Sequence, residues 1–304
     1  MAHGDSVRQS EISRGIAFTI GAIIVFGLQD AGAKWVMQTY SPFQITMVRY
    51  WAFGLMSLWL VSRRVPLSRA FHSNRPRTQL LRGALLVSDL WCFALALNAL
   101  PLPEVQAILL LYPLVVTLLA ATLLREQVGP FRIVAVFAGF AGALLIVRPG
   151  GLPWNAGLLF AFLAALSYSG YIVTTRIVAQ VDHTTTNMLY ASGIGMLATS
   201  LVGPFFWQPI ALGDLWLIAF VAATTVVAHT MMIEALRHAP ASVTQPFNYL
   251  TLPWAIILGW SIFGQWIDPV SLIGAVIIAG AGLVVWAREQ HLKQRARRNA
   301  KRSV

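Results

Sequence analysis

A stretch of about fifty residues is written twice in this chain, and no other feature limits its fold as strongly. Residues 101–150 read PLPEVQAILLLYPLVVTLLAATLLREQVGPFRIVAVFAGFAGALLIVRPG. Residues 240–289 read PASVTQPFNYLTLPWAIILGWSIFGQWIDPVSLIGAVIIAGAGLVVWARE. Each copy opens at a Pro-containing turn and runs into an apolar segment broken by a proline, Pro113 or Pro253. A polar turn with a second proline follows, Pro130 or Pro269, and then a Gly/Ala-rich apolar segment. An offset of 139 or 140 residues aligns all of this. Two copies of one structural unit must therefore stack on each other.

Composition decides what kind of unit it is. The 304 residues are 57% hydrophobic and 11% charged, with mean hydropathy +0.68. Soluble domains carry roughly 25% charged residues. The chain is therefore expected to be an all-α polytopic membrane protein. A bilayer core needs about 20 apolar residues per helix. Ten stretches qualify: 15–36, 43–61, 80–98, 103–124, 131–147, 156–177, 187–206, 213–235, 243–264 and 269–287. The single cysteine, Cys92, lies in an apolar run and excludes an intrachain disulfide framework.

A cleaved signal peptide is the competing reading of the first span, with Arg8 and Arg14 before the apolar run and Ala31-Gly32-Ala33 after it. Two observations oppose it. The run contains Gln29 and Asp30, and Gly15–Lys34 aligns with Gly157–Arg176 at an offset of 142.

The net charge of +11 is distributed by topology rather than by a nucleic-acid surface. Arg8 and Arg14, then Arg63, Arg64, Arg69, Arg75, Arg77 and Arg82, then Arg125 and Arg132, Arg176, Arg237 and the basic tail all fall on one side if ten helices alternate. Only Arg148, with Lys34 near the edge, falls on the other. The positive-inside rule then puts both termini in the cytoplasm. Trp35, Trp154, Trp207, Trp216 and Trp266 mark the outer helix ends, and Trp59 and Trp286 the inner ends, as an interfacial belt does. Five spans per repeat is an odd number, so the second repeat enters the membrane from the opposite side. Inverted repeats of this kind recur in secondary transporters, with the substrate site near the midplane between them.

Ten spans in two such repeats resemble the drug/metabolite transporter superfamily, EamA-type. The resemblance covers residues 15 to 287 and rests on Arg49, on FALALNALPLPEVQAILLLYPL at 93–114, and on LREQVGPFRIVAVFAGFAGALLIVRPG at 124–150. It implies a first five-helix repeat at 15–148 and a second at 156–287, flanked by a cytoplasmic tail at 1–14 and a basic one at 288–304. Members usually carry a Glu in the turn between the fourth and fifth helices of both repeats; here the first copy has Glu126 and the second Gln265. The resemblance implies a bacterial inner-membrane carrier of small metabolites.

Ionisable groups inside a span are costly and point to function. Asp30 and Lys34 lie one turn apart, Arg49 lies in the outer half of the second span, and Asp89 lies near the centre of the third. Together they sum to zero charge. Two readings stand. In one, Asp30–Lys34 and Asp89–Arg49 are structural ion pairs. In the other, Asp89 or Arg49 faces the pathway and meets a substrate or relays a proton. His229 is a further candidate, by titration near neutral pH or as a bundle hydrogen bond. Its spacing of five from Glu234 puts the two on different helix faces, against a metal pair. Tyr112 and Pro113 in the fourth span, and Gln245, Pro246, Asn248, Tyr249 and Pro253 in the ninth, form matching broken segments, the best sequence pointer to a transporter site. Trp91, Ser167, Tyr168 and Tyr171 could add aromatic and hydroxyl contacts or simply pack. Small residues at Ala138/Gly142 and Ala275/Ala279 suit close helix contacts or a homodimer surface.

No phosphate-cradling loop, HExxH or nucleophile elbow is present in the sequence. The expectation is a secondary transporter with a small-molecule substrate and lipid contacts. It needs no cofactor, nucleic acid or ATPase subunit, and it is not an enzyme. Export of amino acids or similar compounds is the first expectation; import of a cofactor such as riboflavin or S-adenosylmethionine is the alternative. A membrane-embedded enzyme is a remote rival, because the ionisable groups are scattered in depth.

Overall fold

A computed structural model describes residues 2–63, 65–123, 130–147, 156–239 and 244–302. Arg64, Arg125, Glu126, Arg148, Trp154 and Pro240 lie outside the described residues. The helices are α1 (Ala2–Val36), α2 (Pro42–Ser62), α3 (Leu67–Ala70), α4 (Pro76–Ala99), α5 (Leu102–Leu109), α6 (Tyr112–Leu123), α7 (Pro130–Val147), α8 (Ala156–Val178), α9 (Thr184–Val202), α10 (Leu215–His238), α11 (Thr251–Phe263) and α12 (Pro269–Arg302). Short 3₁₀ turns at Gly203–Phe206, Leu212–Asp214 and Gln245–Leu250 complete them. Among the described residues there is no strand. Among the described residues, eight segments are long and apolar enough to cross a membrane, and two shorter apolar helices, Ile133–Ile146 and Phe247–Phe263, bring the set to the expected ten.

The packing keeps its form when the two halves are exchanged. α1 runs along α10, and α8, which holds the same place in the second repeat, runs along α4. α2 packs on its own counterpart α9, and α7 on its counterpart α12. Met47 lies against Gly203 while Gly54 lies against Met196, so α2 and α9 run antiparallel. Equivalent helices pointing in opposite directions are the inversion seen directly. The α7–α12 crossing is close enough that a Cβ on Gly142 would meet the Gly274 carbonyl at 2.6 Å. Gly142 therefore serves a contact within the chain.

Most helix limits lie within a few residues of the sequence expectation. Pro42, Pro76 and Pro130 start their helices, where a missing N–H costs nothing. Two helices run longer than expected. α1 begins at Ala2 and α12 continues to Arg302, so the tails at 2–14 and 288–302 extend the helices. Their Arg, Lys, Gln and Ala residues are good helix formers and include no proline.

The broken spans are explained by their prolines. α5 ends at Leu109 and α6 starts at Tyr112, so Pro113 sits in the first turn of a new helix, where the ring is tolerated. In the second repeat the 3₁₀ turn containing Pro246 leads into α11, and Pro253 again sits in the first turn. α11 ends on Gly264 at φ +63°, a left-handed cap that suits glycine.

Each end of the bundle carries a polar clamp between the two repeats. At the end formed by residues 37–41 and 203–214 (the far end below), the Tyr40 hydroxyl donates to Asp214 at 2.6 Å and accepts from the Ala211 amide at 3.0 Å. Gln44 donates to the Gln208 carbonyl at 2.9 Å and accepts from the Gln208 amide at 3.0 Å. At the opposite end Asp182 accepts from Ser73, from the Asn74 amide at 2.8 Å and from Gln79 at 2.8 Å. Burial pushes the Asp182 carboxyl up, but these donors outweigh it and hold the group below the usual carboxylate range. The two clamps exchange when the repeats are exchanged: one joins the loop after α1 to the loop after α9, the other the loop after α8 to the loop after α2.

Candidate functional site

The buried polar groups gather at mid-depth between α1, α2, α4, α8, α10 and the two broken spans. Asp89 lies ten residues before the end of α4, about 15 Å from the far end at 1.5 Å per residue. Asp30 on α1, Arg49 on α2 and Asp89 are each 8% exposed. Burying such groups is costly without partners.

Their pairing differs from both expected ion pairs. Arg49 Nη2 lies 3.9 Å from Asp30 Oδ1, and Gln106 Nε2 donates to Asp30 Oδ2 at 3.1 Å. Lys34 turns away from Asp30, four residues earlier. Its ammonium donates to the carbonyls of Leu97 and Leu100, the latter at 2.6 Å, at the end of α4. Those carbonyls end a helix, lack intrahelical donors and carry partial negative charge, so they take a cation readily. Asp89 forms no ion pair and accepts no hydrogen bond among the described residues.

Aromatic rings line the same depth. Tyr112 and Tyr168 meet edge to face at 5.0 Å between centroids, and Tyr168 stacks on Tyr171 at 5.9 Å. Arg82 covers Tyr171 at 5.4 Å. The Asn248 amide donates to the Tyr112 hydroxyl at 3.3 Å, so the breaks of the two repeats touch each other. Ser169 reaches the Tyr112 carbonyl at 3.2 Å, next to Pro113. Ser88 and Ser167 join α4 to α8 at 3.2 Å.

The remaining sequence candidates sit apart from this cluster or behind it. His229 bonds through Nδ1 to the Thr225 carbonyl at 2.8 Å and lies between Phe26 and Phe53, at 5.2 and 4.4 Å. Trp91 faces Phe43, at 5.7 Å, rather than Asp89 two residues earlier. Tyr249 lies against Gly282 of α12. The backbone of Gln245 and Pro246 is described, and their side chains lie outside the described residues. Gln265, the family position that departs from Glu, accepts from the Leu102 amide at 3.2 Å and so caps the start of α5. Sequence reasoning missed Gln106, Gln79 and Asp182. An amide inside an apolar span was the available signal for Gln106.

Two adjoining segments, 13–148 and 155–287, each match the EamA-like transporter family. The chain belongs to this family. Among curated proteins, a riboflavin transporter of Vibrio cholerae is 27% identical over 93% of this chain and 96% of its own. An S-adenosylmethionine uptake transporter of Rickettsia bellii is 25% identical over 90% of this chain and 93% of its own. A pseudopaline exporter of Pseudomonas aeruginosa is 23% identical over 89% and 95%. A solved crystal structure superposes with TM-score 0.58 at 21% identity, covering 91% of this chain and 95% of that one, and supports the fold. This EamA-like protein is thus a multi-pass inner-membrane transporter of a small molecule, not an enzyme.

Proposed function

We propose that this EamA-like transporter imports a ring-bearing vitamin or cofactor of the riboflavin or S-adenosylmethionine kind. The observation that carries the proposal is the Tyr112–Tyr168–Tyr171 cluster beside Asp89 and the Arg49–Asp30 pair. Aromatic faces bind planar rings, and the polar groups fix their edges. Near-full-length relatives named for riboflavin and S-adenosylmethionine favour this reading over amino-acid export.

Residues 15–148 and 156–287 act as the two repeats, with tails at 1–14 and 288–304. Both termini face the cytoplasm, as the arginine-rich side requires. Transport proceeds by alternating access around the fixed mid-depth site, with the two end clamps opening in turn. Asp30, Arg49, Asp89, Tyr112, Tyr168 and Asn248 contribute to the pathway. Lys34 is structural, and His229 serves as a bundle hydrogen bond. The exposed apolar faces of α7 and α12, with Phe137, Leu144 and Val276, face lipid.

The test is uptake by purified protein in liposomes, with amino acids, riboflavin and S-adenosylmethionine offered separately, with and without a pH gradient. Saturable uptake of a ring-bearing compound and none of amino acids is the expected result. Uptake of amino acids alone would overturn the proposal.

A further inference from the structure

Resting on that reading, we infer that Asp89 is a binding group for positive charge and that the ligand is a ring-bearing cation. The charges at mid-depth do not balance. Arg49 lies 3.9 Å from Asp30, which takes Gln106 on its other oxygen, and the same guanidinium also acts on Asp89. Lys34 is held by the Leu97 and Leu100 carbonyls at the far end. Arg82 is held by Gln79 at 3.3 Å and by the Asn187 carbonyl at 2.5 Å. His229 is fixed on the Thr225 carbonyl. That leaves Asp89 more than nine-tenths buried, with no hydrogen-bond donor on it among the described residues and only a share of the Arg49 charge, so two buried carboxylates face one guanidinium.

A second carboxylate on one guanidinium at bilayer depth is expensive, and a ligand that supplies the missing charge recovers that cost. The tyrosine faces add to the same preference, because a cation over an aromatic ring is attracted by its electron-rich face. A sulfonium or quaternary ammonium has no N–H to donate and is recognised by this combination of a carboxylate and ring faces. A neutral flavin satisfies the rings and leaves the carboxylate without its charge. Of the two ring-bearing classes, the site therefore selects the adenosyl sulfonium.

The experiment compares S-adenosylmethionine with S-adenosylhomocysteine, the same molecule lacking the sulfonium methyl, and with riboflavin. Each is tested for uptake in liposomes and as a competitor. The wild type is expected to take up the sulfonium at least about tenfold better than its uncharged thioether, the scale of one charge-assisted contact. Asp89→Asn should lose that preference, and Asp89→Glu should keep most of it. Labelling by a hydrophobic carbodiimide, read by peptide mass, gives a measure that needs no variant: S-adenosylmethionine should protect Asp89, and S-adenosylhomocysteine should protect it less. Equal handling of the two adenosyl compounds, a preference for riboflavin, an unchanged preference in Asp89→Asn, or labelling of Asp89 that no ligand slows would each overturn the inference. In those cases the importer reading survives. If none of the three compounds moves or competes, the importer reading itself fails, and the inference falls with it.

Discussion

Arg49 reaches Asp30, at 3.9 Å, and its charge is shared with Asp89. The pair joins α2 to α1, and Gln106 of the broken fourth span closes the other oxygen of Asp30. Three elements of the first repeat are thus fastened at one buried carboxylate. Removing one partner of a buried pair leaves an uncompensated charge, which costs about 3–5 kcal/mol. Asp30→Asn should lower the melting temperature in detergent markedly. Asp30→Asn combined with Arg49→Gln should recover part of the loss, because neither member of the pair is then charged, while Asp89 loses the guanidinium that acted on it. A single variant that melts with the wild type would show that the pair contributes nothing.

The Asp182 clamp gives a pH dependence with a definite sign. Burial raises this carboxyl, and the donors from Ser73, Gln79 and Asn74 lower it further, so its native value lies below the usual one. An unfolded Asp titrates at about 3.9. The clamp's contribution is therefore complete above that value and is lost as pH falls through the lower native value. Amide hydrogen exchange in residues 72–75 and 179–183 should stay slow down to mildly acidic pH and rise only in stronger acid. Asp182→Asn should exchange fast at every pH. An acid-independent profile in the wild type would place the protecting interactions elsewhere.

Much of the fold was legible because membrane helices follow simple rules of length and apolar content, and because the repeat was long. The prolines at 113 and 253 marked both breaks, and Tyr112 and Asn248 beside them proved to touch. Side-chain pairing was less legible. Sequence spacing favoured Asp30 with Lys34, one turn apart, but Lys34 is long enough to reach the carbonyls ending α4, sixty-three residues on in sequence. Arg49 was left with two carboxylates in range of sequence reasoning, and its side chain comes closest to Asp30 even though α2 packs on α4, the helix of Asp89, and not on α1. Trp91 and Asp89 look adjacent in sequence, yet a separation of two residues turns them to opposite helix faces.

The α7–α12 crossing predicts a steric effect. A methyl at Gly142 would meet the Gly274 carbonyl at 2.6 Å, and backbone cannot yield as a flexible side chain can. Gly142→Ala should destabilise the protein by about 1–3 kcal/mol through overpacking. Gly193→Ala makes the control, since nothing lies within 4 Å of its added methyl. Thermal unfolding of the two variants side by side checks this, and equal melting would mean that the helices separate freely.

The clamps at the two ends predict opposite effects from similar changes. Tyr40→Phe removes the proton donated to Asp214 and the oxygen that accepts from Ala211, and leaves the ring in place. Gln79→Leu removes a donor from Asp182 and keeps a similar volume. If the clamps open in turn, weakening one favours the state open at that end. Hydrogen exchange at 207–214 should rise about fivefold or more in Tyr40→Phe, with no rise at 179–183, on the scale of one or two lost hydrogen bonds. Gln79→Leu should show the reverse pattern. Because a ligand-competent cycle needs both openings, each variant should slow net uptake while leaving the protein folded. Slower exchange at the undamaged end would be the clearest sign of coupling, since a chain held open at one end must be closed at the other. Exchange that rises at both ends in either variant would instead mean that the clamps merely hold the bundle together, and alternating opening would have to be sought elsewhere in the fold.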